Sequence, residues 1–155
     1  MFHSEPFFIV PDQGLYFLSL GGIGEIGANC YLYCCDGKWI MIDLGLSFAD
    51  EKFPGIDLLV PQLDFLEQIN DNLEAVIISH GHEDHAGALS FFVDKLACPI
   101  YATGFATSLI KKRLKEFGKL DHTNINIIDT KQIINFQNFN LEFIATTHSI
   151  PEPYS

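Results

Sequence analysis

The chain has 155 residues, is 48% hydrophobic and carries a formal net charge of −11; this is one domain's worth of globular chain with one core, and not a disordered polymer. Such an acidic balance, taken alone, argues against a nucleic-acid binder, because phosphate contacts need Lys and Arg. No stretch of about 18 uncharged apolar residues occurs, and MFHSEPFFIVPDQG lacks a basic start followed by a long apolar segment, so neither a membrane span nor a signal peptide is expected and the expected compartment is the cytoplasm.

In chain order, the first half reads as strands. FFIV (7–10), LYFLSL (15–20), NCYLYCC (29–35) and KWIMID (38–43) are short, rich in aromatic and aliphatic residues, and separated by turn signals. Asp36-Gly37 predicts a tight hairpin turn. A weak helix is expected from about Gln62 to Ile69. AVIIS (75–79) is a continuous apolar run, as expected of a strand buried on both faces. Two helices follow. Residues 86–96 line up Ala86, Leu89, Phe92, Val93 and Leu96; residues 104–117 line up Phe105, Leu109, Ile110, Leu114 and Phe117, with Gly118 as the stop. PIYA (99–102), INII (125–128), QIINF (132–136) and NLEFIA (140–145) return to strand patterns. The sum is a mixed α/β chain whose buried strands need helices on their outer faces. The end, SIPEPYS, reads as a loop with no closing element, and the natural protein is expected to continue past Ser155.

Cys30, Cys34, Cys35 and Cys98 form no C-x-x-C pair, so they are expected to be small packing residues in a reducing compartment and not a zinc site. The charge is uneven. Residues 53–94 contain eight acidic residues and no Lys or Arg, while five of the nine basic residues fall between Lys111 and Lys119. That basic stripe reads first as a solvated helix face, with phosphate contact as the minority reading. An acidic cluster beside a histidine cluster is what a divalent cation site needs.

The segment AVIISHGHEDHAGAL (75–89) places His80, His82, Asp84 and His85 within six residues, after a buried strand and before a helix. In an extended turn, residues two apart point the same way, so His80 and His82 can grip one ion. Asp84 and His85, past the bend, can reach a second. Imidazole and carboxylate donors suit Zn²⁺, with Mn²⁺ or Fe as alternatives. Two ions about 3.5–4 Å apart clamp the attacking and leaving oxygens of a displacement and supply hydroxide near neutral pH. His148, after the strand predicted at 140–145, would complete the first ion's set. The bland alternative is a solvated turn with surface histidines, as His3 and His122 are expected to be. A zincin is excluded, because His82-Glu83-Asp84-His85 spaces its histidines three apart and not four. Asp43, at the end of KWIMID, could accept an N–H from a ligand histidine and fix its tautomer, or could be an ordinary turn aspartate.

HGHEDH (80–85) resembles the H-x-H-x-D-H motif of the metallo-β-lactamase superfamily. LGGIGEIGANCYLY (20–33), MIDLGLSF (41–48), PGIDLLVPQLDFL (54–66), ISHGHEDHAGAL (78–89), PIYAT (99–103) and THSIPEP (147–153) together are similar to the ribonuclease J family, within its β-CASP group. The resemblance covers nearly the whole chain, in order. It implies a four-layer αββα fold, incomplete at its C-terminal end, with residues 1–155 as the N-terminal part of the metallo-β-lactamase-type domain. The remainder of that domain, a β-CASP domain and a C-terminal domain would lie beyond. It implies two zinc ions and hydrolysis of 5′-monophosphorylated or single-stranded RNA, both endonucleolytic and 5′-to-3′, by a protein that is a homo-oligomer at full length. Position by position, His80, His82 and His148 match the first ion's ligands and Asp84 and His85 the second's. Asp84 and His85 are the candidate catalytic pair, and Asp43 is the supporting strand-end aspartate. Ser79 stands where threonine is commoner, and Ala28 where a longer residue is. The family's bridging aspartate and a further histidine would follow the THSIP segment, so five of seven expected ligands are present and weak or no activity is expected of this stretch alone. Two other readings stay open: a small-molecule metallo-hydrolase such as a glyoxalase II-like thioesterase or a lactonase, and a non-catalytic metal-binding protein.

Overall fold

The structure is a computed structural model describing residues 12–129, 131 and 133–155. The FFIV strand, His3 and the side chain of His122 lie outside what is described. The chain opens with a meander of β1 (Leu15–Gly21), β2 (Cys30–Cys35) and β3 (Lys38–Ile42), paired antiparallel. Asp36 and Gly37 turn the hairpin between β2 and β3, both with positive φ (46° and 78°), the backbone that a two-residue primed turn requires. A crossover holding the short β4 (Ser47–Phe48), β5 (Leu58–Leu59) and α1 (Leu66–Ile69) leads to β6 (Leu73–Ile78), which lies parallel to β3. After α2 (Glu83–Ala86) and α3 (Leu89–Phe92), β7 (Ile100–Ala102) joins parallel to β6. Then α4 (Gly104–Glu116) leads to β8 (Ile125–Ile127), parallel to β7. The result is a six-stranded mixed sheet in the order β1-β2-β3-β6-β7-β8.

Burial on both faces explains the apolar run of β6. Val76 and Ile78 pack with Met41, Ile100, Ala102, Leu89, Ile110 and Leu114 on the helical side. Ala75 and Ile77 face the other way, with Ile40 and Phe143. There the cover is a hairpin of β9 (Ile134–Asn135) and β10 (Asn140–Leu141), packed through Ile134, Phe136, Phe139 and Leu141. The described residues thus hold a helical layer, a full sheet and the hairpin of a further β layer.

Four expectations need correction. The helix expected at 86–96 is two single turns, α2 and α3, and a 3-10 turn at Val93–Lys95. Its backbone is bonded elsewhere: Asn29 N–H donates to the Asp84 carbonyl at 2.9 Å, Leu44 N–H to that of His85 at 2.8 Å, and Ala88 N–H to that of Leu44 at 3.0 Å. A helix cannot propagate through carbonyls that loops have taken. The helix expected from Gln62 begins only at Leu66. On α4 the buried stripe is Ala106, Thr107, Ile110 and Leu114, while Leu109 and Phe117 of the expected face are 38% and 44% exposed. Finally, the tail is closed: Ile144 and Ser155 exchange backbone hydrogen bonds of 2.9 and 3.0 Å, and Ala145 bridges Tyr154. That pairing replaces the last part of the strand expected at 140–145.

Candidate metal centre

Parallel pairing brings the site together. Ile42 sits opposite Ile77, and the Asp43 N–H donates to the Ile77 carbonyl at 2.8 Å. The carboxyl ends of β3 and β6 therefore lie side by side, with Asp43 after one and Ser79-His80 after the other, the usual place for a site in a parallel sheet. Asp43 is 3% exposed and left-handed, with φ 61°. This backbone is uncommon for any residue but glycine, although aspartate visits it more readily than most.

The Asp43 carboxylate is a hub. It accepts from Ser79 N–H at 2.8 Å, from the Ser79 hydroxyl at 2.9 Å, and from His85 Nδ1 at 2.7 Å. With its proton committed to Asp43, the Ser79 hydroxyl receives the Nδ1–H of His80 at 3.0 Å. One carboxylate thus sets both His80 and His85 with protons on Nδ1 and lone pairs on Nε2. Asp43 thus contacts His85 directly and His80 through Ser79, a residue that entered the sequence analysis only as a mild departure.

His80 Nε2 lies 3.1 Å from His82 Nδ1, and His148 Nε2 lies 3.0 Å from that same nitrogen. One donor atom from each of the three lies within 4.8 Å of the others, and the rings meet nearly edge-on, at 78°, 81° and 86°. A tetrahedral Zn²⁺ with Zn–N of about 2.0–2.1 Å separates its nitrogens by about 3.3 Å. The chemistry and spacing of this donor set therefore fit one zinc ion. Among the described residues it is the one group of three or more such donors within reach of each other.

Beside it stand Asp84 and His85. His85 Nε2 is 3.5 Å from Asp84 Oδ2, and the rings of His80 and His85 have centroids 4.1 Å apart. The Asn29 side-chain amide contacts both, at 3.2 Å to Asp84 Oδ2 and 3.2 Å to His85 Nε2, and donates to the Asp84 carbonyl at 3.0 Å; its oxygen accepts from the Tyr31 hydroxyl at 2.9 Å. Asn29 was missed. Its signal was its place in a glycine-rich word, which carried the resemblance but had no chemistry of its own.

Burial, then the neighbouring His85, lowers the His80 pKa to about 4, so its ring is neutral and ready to ligate at pH 7. Burial also opposes charge on His85, but the hydrogen bond and charge of Asp43, with Asp84, outweigh it and raise that pKa above the ordinary value. Burial pushes the Cys30 thiol up to about 12 and Cys98 to about 11; Cys30 and Cys34 are buried, whereas Cys35 and Cys98 are half-buried. The basic stripe is partly spent on the chain's own acids: Lys119 pairs with Asp94 at 2.7 Å and Arg113 with Glu83 at 3.8 Å. No helix among the described residues is long and apolar enough to cross a membrane.

Sheet, histidine triad and sequence agree: residues 23–148 match the family model of the metallo-β-lactamase superfamily, and the chain belongs to that superfamily. Within it, the chain is homologous to ribonuclease J proteins. It is 39% identical over 146 residues to ribonuclease J of Sinorhizobium meliloti, covering 92% of this chain and 26% of the relative. It is 31% identical over 140 residues to ribonuclease J2 of Bacillus subtilis, covering 90% and 25%. The chain thus spans about a quarter of the length of these relatives. Among solved structures, it is similar in fold to the metallo-beta-lactamase fold protein YhfI from Bacillus subtilis, with a TM-score of 0.58 at 19% identity over 92% of this chain and 57% of that one.

Proposed function

We propose that the chain is the metal-bearing part of a ribonuclease J-like enzyme that hydrolyses RNA phosphodiester bonds with two zinc ions. The observation that carries this reading is the convergence of His80, His82 and His148 on one point, with the Asp43-oriented His85 and Asp84 next to it. The choice of RNA rests on the relatives that bear the name ribonuclease J.

The first ion would be held by His80 Nε2, His82 Nδ1 and His148 Nε2, and the second by Asp84 Oδ2 and His85 Nε2. Zinc bound there would acidify a water molecule and neutralise charge developing on the phosphate. Asp43 keeps both of its histidines in the ligating tautomer. The Asp84 carboxylate, with a side chain 42% exposed, would orient the attacking water by accepting its proton. Substrate would approach through the cleft of about 530 Å³ that His82 and Asp84 line with Gly27, Ser47 and Phe48.

Elemental analysis of purified protein is expected to find zinc, and His82→Ala is expected to lose it. A protein of the relatives' length carrying these residues is expected to hydrolyse 5′-monophosphorylated RNA in preference to thioesters and lactones. Hydrolysis of the thioesters or lactones alone would replace the nuclease reading with a small-molecule one. Zinc-free protein with His82 intact would refute the metal centre.

A further inference from the structure

We infer that Glu152 is a positioning residue for His148, fastening the loop that carries this histidine to the N-terminus of α4. The inference rests on the metal reading above and adds a residue to it. His148 lies in no regular element. Its loop, residues 146–153, is closed at the base, where Thr146 N–H donates to the Pro153 carbonyl at 3.1 Å and the Tyr154 N–H reaches the Ser79 carbonyl at 3.3 Å. A base closure alone leaves the far end of such a loop free to swing. Here a side chain beside the base reaches outward to a second element: Glu152 Oε2, next to Pro153, accepts the Phe105 N–H at 2.8 Å.

Both sides of that bond call for the other. The first N–H groups of a helix have no partner within the helix and sit at the positive end of its dipole. On α4, Thr103 Oγ1 takes the Ala106 N–H at 3.3 Å, and Glu152 takes that of Phe105. Glu152 itself is left-handed, with φ 52°, a backbone that a glutamate keeps only where surrounding contacts hold it. The anchor point is also rigid relative to the other ligands. The helix α4 starts directly after β7, and Ala102 of β7 pairs with Ile78 of β6, two residues before His80. Ile150 lies on the same side: a Cβ added at Gly81, between His80 and His82, would meet Leu109 Cδ1 at 2.7 Å and the Ala106 backbone at 3.3 Å, with Ile150 Cδ1 in ordinary contact at 3.6 Å. Glu152 therefore ties a ligand from a distant stretch of chain to the same strand-and-helix frame that presents the other two.

The test is a double-mutant cycle on zinc affinity, measured by chelator competition, with the Co²⁺ absorption spectrum as a report on coordination. Glu152→Ala is expected to weaken zinc binding by up to about tenfold, the low end of the effect of removing a partner bonded directly to a ligand, and to shift the Co²⁺ bands. Glu152→Gln keeps an acceptor for Phe105 N–H and is expected to restore most of the affinity. Adding Glu152→Ala to His148→Ala is expected to change nothing further, because Glu152 acts through that histidine. Equal weakening with and without His148 would mean a general structural role and overturn the inference. If His148→Ala weakens zinc binding and Glu152→Ala does not, the positioning role falls and the metal reading stands; if His148→Ala has no effect, both fall.

Discussion

Asp43→Asn exchanges one carboxylate oxygen for NH₂ with almost no change of shape, and its consequence can be worked through bond by bond. Asp43 accepts three hydrogen bonds, from Ser79 N–H at 2.8 Å, the Ser79 hydroxyl at 2.9 Å and His85 Nδ1 at 2.7 Å. Asparagine has one carbonyl oxygen and one NH₂ group. With the oxygen kept on the Ser79 N–H, the NH₂ faces both the serine hydroxyl and His85 Nδ1. The hydroxyl must then accept, and its own proton turns toward His80 Nδ1. Both histidines are pushed to carry their proton on Nε2, the nitrogen each would offer to a metal. Two bonds to a carboxylate, each contributing about 1.5–3 kcal/mol, are exchanged for neutral ones of about 0.5–1.5 kcal/mol, so roughly 2–3 kcal/mol of stability should go with them. Zinc affinity should fall by about tenfold to hundredfold, or about 1.4–2.8 kcal/mol. Chelator competition measures the affinity, a thermal melt the stability, and nitrogen-15 NMR of the imidazoles the tautomers. An Asp43→Asn protein that binds zinc with native affinity and keeps its protons on Nδ1 would refute the account of Asp43 as the hub.

Two further outcomes follow from the same geometry. Gly45→Ala would put a Cβ 1.7 Å from the Asp84 carbonyl oxygen and 2.7 Å from the His85 nitrogen; both are backbone atoms, so the ligand turn must move, and zinc stoichiometry should drop even in protein that still folds by circular dichroism. Without metal, the buried His80 and the half-buried His85 act in opposite senses on stability. The pKa of His80 is depressed from 6.5 to about 4, so its contribution is lost as pH falls through that window; that of His85 is raised, so its contribution is complete below about 6.5 and lost as pH rises through its folded value. Melting temperature in chelator should therefore peak near pH 6.5, with His80→Ala flattening the acid limb and His85→Ala the alkaline one, and a profile unchanged by both would contradict the assigned shifts.

The strands of the sheet were legible because each is short, apolar and bounded by turn residues, and because β6, buried on both faces, cannot alternate. The four ligand candidates at 80–85 were legible because donor residues that close in sequence must be close in space. His148 was legible only through its place near a strand end and through resemblance, since 62 intervening residues separate it from Asp84's neighbour His85. Ser79, Asn29 and Glu152 were not legible. Serine, asparagine and glutamate are ordinary loop residues, and their roles arise from pairings 36, 55 and 47 residues apart. Periodicity placed only part of the α4 face: Ile110 and Leu114 are buried as expected, but Ala106 and Thr107 complete the buried stripe while Leu109 and Phe117 stay exposed.

The broken helix at 83–92 connects these points. An apolar period of 3.6 was present at 86–96, yet the turn before it is bonded sideways: the Glu83 carbonyl accepts Leu46 N–H at 3.0 Å besides its helical partner Gly87 N–H at 2.8 Å, while the Asp84 and His85 carbonyls accept Asn29 N–H at 2.9 Å and Leu44 N–H at 2.8 Å. The loops at 27–29 and 43–47 are therefore staples on the ligand turn, and Gly45 is the residue that lets one of them approach to backbone contact. Held as a single stapled turn, with His85 fixed by Asp43 and Asp84 by Asn29, the two side chains stay 3.5 Å apart and next to His80. The loops at 27–29 and 43–47 thus account for the shape of the turn that holds His80, His82, Asp84 and His85.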